Sequence, residues 1–156
     1  MRIIGIDPGT GILGFGVIDV VKGKARLVDA GVIRTPVHQE LSDRLLTIHD
    51  ELESIIIQNK PEIMVVEQLF FSQNVTTAIS VSHARGIVLL LGKRHGLKLV
   101  EKTPQQIKQS ITGYGKATKA QVQEMVKTHL KLTEIPKPDD CADALAAALT
   151  ISAASL

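Results

Sequence analysis

Residues 2–11 read Arg2-Ile3-Ile4-Gly5-Ile6-Asp7-Pro8-Gly9-Thr10-Gly11. The isoleucines favour extended backbone, and the Pro-Gly-Thr-Gly cluster ends that run in a turn. The predicted strand is Arg2–Asp7, with a carboxylate at its last position. Leu13–Val21 and Ala25–Arg34 are two further strand candidates, joined by Lys22-Gly23-Lys24. Links this short predict an antiparallel meander of three strands.

The period then changes. Leu41, Leu45, Ile48, Leu52, Ile55 and Ile56 recur at three- and four-residue spacing, which predicts an amphipathic helix over Leu41–Ile57. Glu62–Val66 reads as a short buried strand ending in Glu67. Val75–Arg94 reads as a second helix with a face of small residues, Ala78, Ile79, Ser82 and Gly86. Such a face suits close packing against another helix, within the chain or from a second copy. Leu97–Glu101 is the fifth strand candidate. Thr103 can cap a helix opened by Pro104 and closed by Gly113. Gly113-Tyr114-Gly115-Lys116 has the composition of a mobile loop, and Thr118 with Gln121 matches a capping box for the next helix. A last helix starts near Asp139, the expected capping residue, and runs through Ala153. No repeat, low-complexity stretch or linker interrupts this order. Residues 1–156 therefore read as a single α/β domain, a mixed five-stranded sheet flanked by helices.

The 156 residues are 44% hydrophobic, enough for one independent core. No apolar run reaches the roughly 18 residues that span a bilayer. Arg2 comes too early for a signal peptide, and the lone Cys141 excludes a disulfide framework and a cysteine zinc site. The expected compartment is the reducing cytoplasm. The net charge of +2 hides a division along the chain. Residues 85–131 hold ten basic residues against Glu101 and Glu124, a net of +8. The segments before and after are each at −3. A polyanion would feel the basic third, because charges farther off than a Debye length of about 8 Å are screened. A solvated lysine face is the alternative.

Four acids stand out against this background. Asp7 and Glu67 end strand candidates, at the sheet margin where α/β folds bind ligands. Asp140 and Asp143 are three apart and share a helical face. Brought together, such carboxylates repel unless cations fill the gap, and Mg²⁺ suits hard oxygen ligands. Two such ions about 4 Å apart activate water and stabilise a leaving oxygen in phosphodiester cleavage. Each acid also has an ordinary reading. Asp7 could begin an Asx turn, Glu67 could be a solvated strand end, and the aspartates could complement a helix dipole. The five histidines show no metal-ligand spacing, and neither a Walker A nor a GxSxG motif is present. Phe70 and Phe71 follow Glu67 closely; they are core residues or a stacking surface for a base. Lys108 and Lys119 flank the Gly-rich loop as solvated lysines or as phosphate contacts.

Ile4-Gly5-Ile6-Asp7-Pro8-Gly9, Val65-Val66-Glu67-Gln68-Leu69-Phe70, Ala84-Arg85-Gly86 and Asp140-Cys141-Ala142-Asp143-Ala144-Leu145-Ala146 occur in this order. Together they closely resemble RuvC, the family of bacterial Holliday junction endonucleases, from Met1 to about Ala153. The resemblance implies a ribonuclease H-like fold and a homodimer. It also implies symmetric, Mg²⁺-dependent nicks in two strands of a four-way DNA junction, leaving 5′-phosphate and 3′-hydroxyl ends. The acidic ligands would be Asp7, Glu67, Asp140 and Asp143, holding two ions per subunit with Asp7 between them, and Mn²⁺ could substitute. Lys108 and Lys119 would be catalytic and touch DNA. Phe70 would stack on a base, Arg85 and Lys116 are further candidate DNA contacts, and Phe71 is left as packing. The RuvA–RuvB branch-migration complex would be a partner. Cys141 stands where relatives usually carry Ala and is expected to face away from Asp140 and Asp143. Ile6-Asp7-Pro8-Gly9-Thr10-Gly11 also resembles the phosphate turn of actin-like ATPases, but those enclose ATP between two such domains.

Overall fold

Arg2–Asp7 forms β1, the central strand of a five-stranded sheet ordered β3-β2-β1-β4-β5. The computed structural model describes residues 1–68 and 75–153. β2 is Ile12–Val21 and β3 is Lys24–Arg34, and both pairings in this meander are antiparallel. α1 (Leu41–Asn59) crosses to β4 (Ile63–Glu67), which runs parallel to β1. α2 (Val75–Arg94) crosses to β5 (Lys98–Lys102), parallel to β4. Three helices follow: α3 (Pro104–Thr112), α4 (Lys119–Leu130) and α5 (Asp139–Ala153). The expected mixed sheet is observed, and element ends differ from the expected ones by two residues or fewer.

Side-chain alternation divides the core. Ile4, Ile6, Met64 and Val66 face α1 and α2, packing with Ile48, Leu52, Val88 and Leu91. Ile3, Ile18, Ile63 and Val65 face α3, α4 and α5, packing with Ile107, Val126, Leu145 and Leu149. α5 rests directly on the second face. A Cβ at Gly5 would meet the Ala144 carbonyl oxygen at 2.0 Å, and one at Gly14 would meet that of Asp140 at 2.1 Å. Glycine is required at both places because helix and sheet touch backbone to backbone.

Both predicted caps form. Thr103 Oγ1 accepts from Gln106 N at 3.0 Å, and Thr118 Oγ1 accepts from Gln121 N at 3.2 Å. Gly113 takes the left-handed conformation at the end of α3, with φ of 77°. The segment with the composition of a mobile loop carries hydrogen bonds of its own. Tyr114 N donates to Thr112 Oγ1 at 3.1 Å, Gln109 Nε2 donates to Gly113 O, and Ala117 N donates to Tyr114 O. Composition registers the glycines but not these local bonds.

α2 is long and apolar enough, by length and composition, to cross a membrane. Ala84, Val88 and Leu91 are nevertheless fully buried in the domain, and Arg85 pairs with Glu101 on β5. The face proposed for close packing divides. Ala78 is buried within the domain, while Ile79, Ser82 and Gly86 lie exposed beside Val75 and Leu90.

Candidate active site

Asp7 and Glu67 continue the α5-facing alternation of β1 and β4, one residue beyond the Ile6–Val66 pair. Parallel pairing therefore sets the two carboxylates side by side at the same end of the sheet. Opposite them, the backbone contact at Gly14 brings in the first turns of α5, which carry Asp140 and Asp143. The four acids singled out by sequence thus meet at one end of the sheet.

Their electrostatics are those of a crowded anionic site. Burial pushes the Asp7 carboxyl up to about 8, and the charges of Glu67, Asp143 and Asp140 add to the rise. Glu67 is pushed up to about 7 by burial and by Asp143, against the pull of Lys108 and Lys119. Asp143 is raised by burial, against its hydrogen bond to Lys119. Hard oxygen donors that destabilise one another in this way fit a divalent cation, which removes the repulsion. Among the described residues, no three His, Cys, Asp or Glu side chains already stand in ligating arrangement. The acids are near enough for the charges of Glu67, Asp143 and Asp140 to raise the pKa of Asp7.

A cleft of about 220 Å³ opens beside Glu67 and Asp143, lined also by Lys108, Lys119, Ile107 and Val122. Lys108 and Lys119 therefore share one cleft with Glu67 and Asp143. Lys119, at the start of α4, reaches Asp143 Oδ2 at 3.1 Å and Asp139 Oδ2 at 3.4 Å. Burial lowers its pKa, but the hydrogen bonds and charges of Asp143 and Asp139 outweigh this and raise it overall. A groove of about 630 Å³ lies at the other end of the sheet, by the β2–β3 turn, and no carboxylate lines it.

The remaining candidates divide. Lys116 is exposed in the α3–α4 turn. Arg85 is ion-paired to Glu101, which also accepts from Gln68 Nε2 at 3.4 Å. That pairing directs the guanidinium to β5 and to the residue after Glu67. Phe70 and Phe71 lie outside the described residues. Cys141 is 4% exposed within the α5 core, away from Asp140 and Asp143 as expected, and burial pushes its thiol up to about 11. Asp139 does not act as an external cap. It is the first residue of α5, and its carboxylate accepts from Gln123 Nε2 at 3.0 Å besides holding Lys119. Spacing pointed to capping; the α4 partners are 16 and 20 residues away, where no local pattern shows them.

Comparison with known proteins matches residues 3–151 to the family described as "Crossover junction endodeoxyribonuclease RuvC". The protein of that name from Fusobacterium nucleatum is 51% identical over 150 residues, covering 96% of this chain and 79% of the relative. The one from Heliobacterium modesticaldum is 51% identical over 149 residues, covering 96% of this chain and 92% of the relative. The structure of Thermus thermophilus RuvC in complex with Holliday junction substrate superposes with a TM-score of 0.93. It is 36% identical, with 99% of this chain and 94% of that one covered.

Proposed function

The chain belongs to the crossover junction endodeoxyribonuclease RuvC family, and from that premise we propose which of its residues do the work and how. It is a Holliday junction resolving endonuclease of ribonuclease H-like fold, from a family of metal-dependent nucleases that act in DNA recombination and repair. In our reading, Asp7, Glu67, Asp140 and Asp143 hold two Mg²⁺ ions per subunit. The ions, when bound, supply a water nucleophile and charge stabilisation at the departing 3′ oxygen. Asp7 and Glu67 orient from the sheet side, and Asp140 and Asp143 close from α5. Lys119 and Lys108 line the cleft and neutralise phosphate charge that grows as the bond breaks. Lys116 adds to the basic surface, and Phe70 stacks on an unpaired base. Arg85, through Glu101, steadies Gln68 next to Glu67.

The observation that carries this reading is the raised pKa of two adjacent strand-end carboxylates, with two lysines facing them across one cleft. It matches the need of a site that takes up cations and phosphate together. A second copy would dock on the exposed apolar face of α2, and such a dimer presents two matching sites to two symmetric strands. Cytoplasmic location and contact with RuvA–RuvB belong to the same proposal.

The test is cleavage of an end-labelled immobile junction with Mg²⁺. The parent should give paired symmetric nicks, while Asp7→Asn should bind the junction and leave it uncut. Equal cutting by both removes Asp7 from the mechanism. An uncut junction with the parent, across several core sequences, overturns the assignment.

A further inference from the structure

Thr10 is only 5% exposed, although it lies in the turn directly after Asp7-Pro8-Gly9. Its hydroxyl donates to the Ser80 carbonyl on α2 and accepts from the Ser80 hydroxyl at 2.9 Å. The Thr35 hydroxyl, just past β3, donates to the Thr10 carbonyl, and Thr35 N donates to Gly11 O at 3.0 Å. Arg44 Nε of α1 donates to Thr35 Oγ1 at 2.9 Å. Three residues beyond Asp7, the chain is thus tied to both helices on the opposite face of the sheet.

These polar ties stand outside the apolar cluster on that face. Ile4, Ile6, Leu13, Ile48, Leu52 and Val88 already close that face. Burying hydroxyls costs free energy unless each is partnered, and a turn of indifferent shape would stay solvated. The network does fix the height of the turn. Once ionised, as a cation site requires, the buried carboxylates beyond it would repel one another, a force that would splay the end of β1 away from β4 and α5.

We infer that Thr10 and Ser80 are positioning residues for Asp7, a clasp of two hydroxyls that holds the 8–11 turn and keeps that carboxylate facing Glu67 and Asp143. The inference rests on the metal-site reading above. Groups that hydrogen-bond a ligand directly typically contribute about 10- to 100-fold in metal affinity or activity, and a clasp acting through the turn belongs at the lower end of that range. Ser80 and Thr10 are 70 residues apart and joined by no motif, so only the folded chain reveals the pair.

The experiment compares the DNA-free parent with Thr10→Val, Thr10→Ser and Ser80→Ala. Calorimetric Mn²⁺ binding, junction affinity in EDTA and melting temperature are measured on each. Thr10→Val and Ser80→Ala should weaken Mn²⁺ binding by about tenfold, with junction affinity in EDTA unchanged. Thr10→Ser, which keeps the hydroxyl, should stay close to the parent. Unchanged Mn²⁺ affinity in Thr10→Val and Ser80→Ala overturns the inference, even if their melting temperatures fall. An equal loss in Thr10→Ser overturns it as well. If Thr10→Val does not fold, Ser80→Ala alone decides. A parent that binds no Mn²⁺ overturns the metal-site reading and the clasp with it; a parent that binds while the variants match it overturns the clasp alone.

Discussion

Lys119 Nζ stands 3.1 Å from Asp143 Oδ2, so the first residue of α4 is counter-ion to a carboxylate on α5. With both side chains partly exposed, the pair adds little to stability. Its effect is on aim. In the proposed metal site Asp143 would turn to the ion, and Asp139 would keep the ammonium at the cleft, where it could meet phosphate. Lys119→Ala should therefore lose about 10²- to 10³-fold in single-turnover cleavage, and much less in junction affinity measured in EDTA. Asp139→Asn should lose less, by the same assay. Equal loss of cleavage and affinity in Lys119→Ala would make it a plain binding contact.

Acid strength predicts an unusual dependence on pH. Asp7 near 8 and Glu67 near 7 keep protons in the folded state that the unfolded chain releases at about 4. Where the folded state binds more protons than the unfolded one, stability falls as pH rises. Metal-free protein should melt at a lower temperature at about pH 8 than at about pH 5.5, and Asp7→Asn should flatten that slope. Added Mg²⁺ should stabilise progressively more across the same window, as fewer protons compete for the oxygens. A flat melting profile in EDTA would contradict the electrostatic account.

Contact between helix and sheet gives a third prediction. Gly5→Ala places a Cβ within 2.0 Å of the Ala144 carbonyl oxygen, and α5 cannot yield without leaving β1. The expected loss is at least the 1–3 kcal/mol or so of an overpacked core, read from urea denaturation. Gly14→Ala should also weaken Mn²⁺ binding, because the atom it meets belongs to Asp140.

α2 supplies a fourth. Val75, Ile79 and Leu90 are 68%, 52% and 58% exposed, and a Cβ at Gly86 would meet nothing within 4 Å. Ile79→Glu and Leu90→Glu should leave the domain folded and shift it to monomers in sedimentation. Coordinated nicking of the two junction strands should then become independent nicking. A dimer that survives both changes would place the second copy elsewhere.

Local patterns made much of this visible in advance. The alternation and turn cluster around Asp7 predict β1, and the Thr103 and Thr118 caps fall where the hydroxyl and glutamine spacing puts them. The acids are legible because strand ends and helical spacing are local properties. What joins residues distant in sequence is not. Asp139 reads as a cap until α4 is packed against it, and the sequence names Arg85 as a candidate DNA contact without showing the Glu101 that β5 sets beside it. The clasp at Thr10 has no local signature, since it joins Ser80 and Thr35, and through Thr35 Arg44, from three other parts of the chain. Ala78 and Ile79 are neighbours in sequence, and only the docking of α2 decides which of them turns inward.

The seating of α5 bears on how such a protein can diverge. At Gly5 and Gly14 the spacing between helix and sheet is set by main-chain atoms, which every sequence shares. Exchanging one aliphatic side chain for another elsewhere in the core leaves this ruler untouched. Aliphatic exchanges of that kind would therefore leave the seating of α5 against β1 and β2, and with it the approach of its acids to Asp7, set by the same main-chain contacts. Two glycines, rather than a conserved interior, would be the part of the scaffold that selection has to guard.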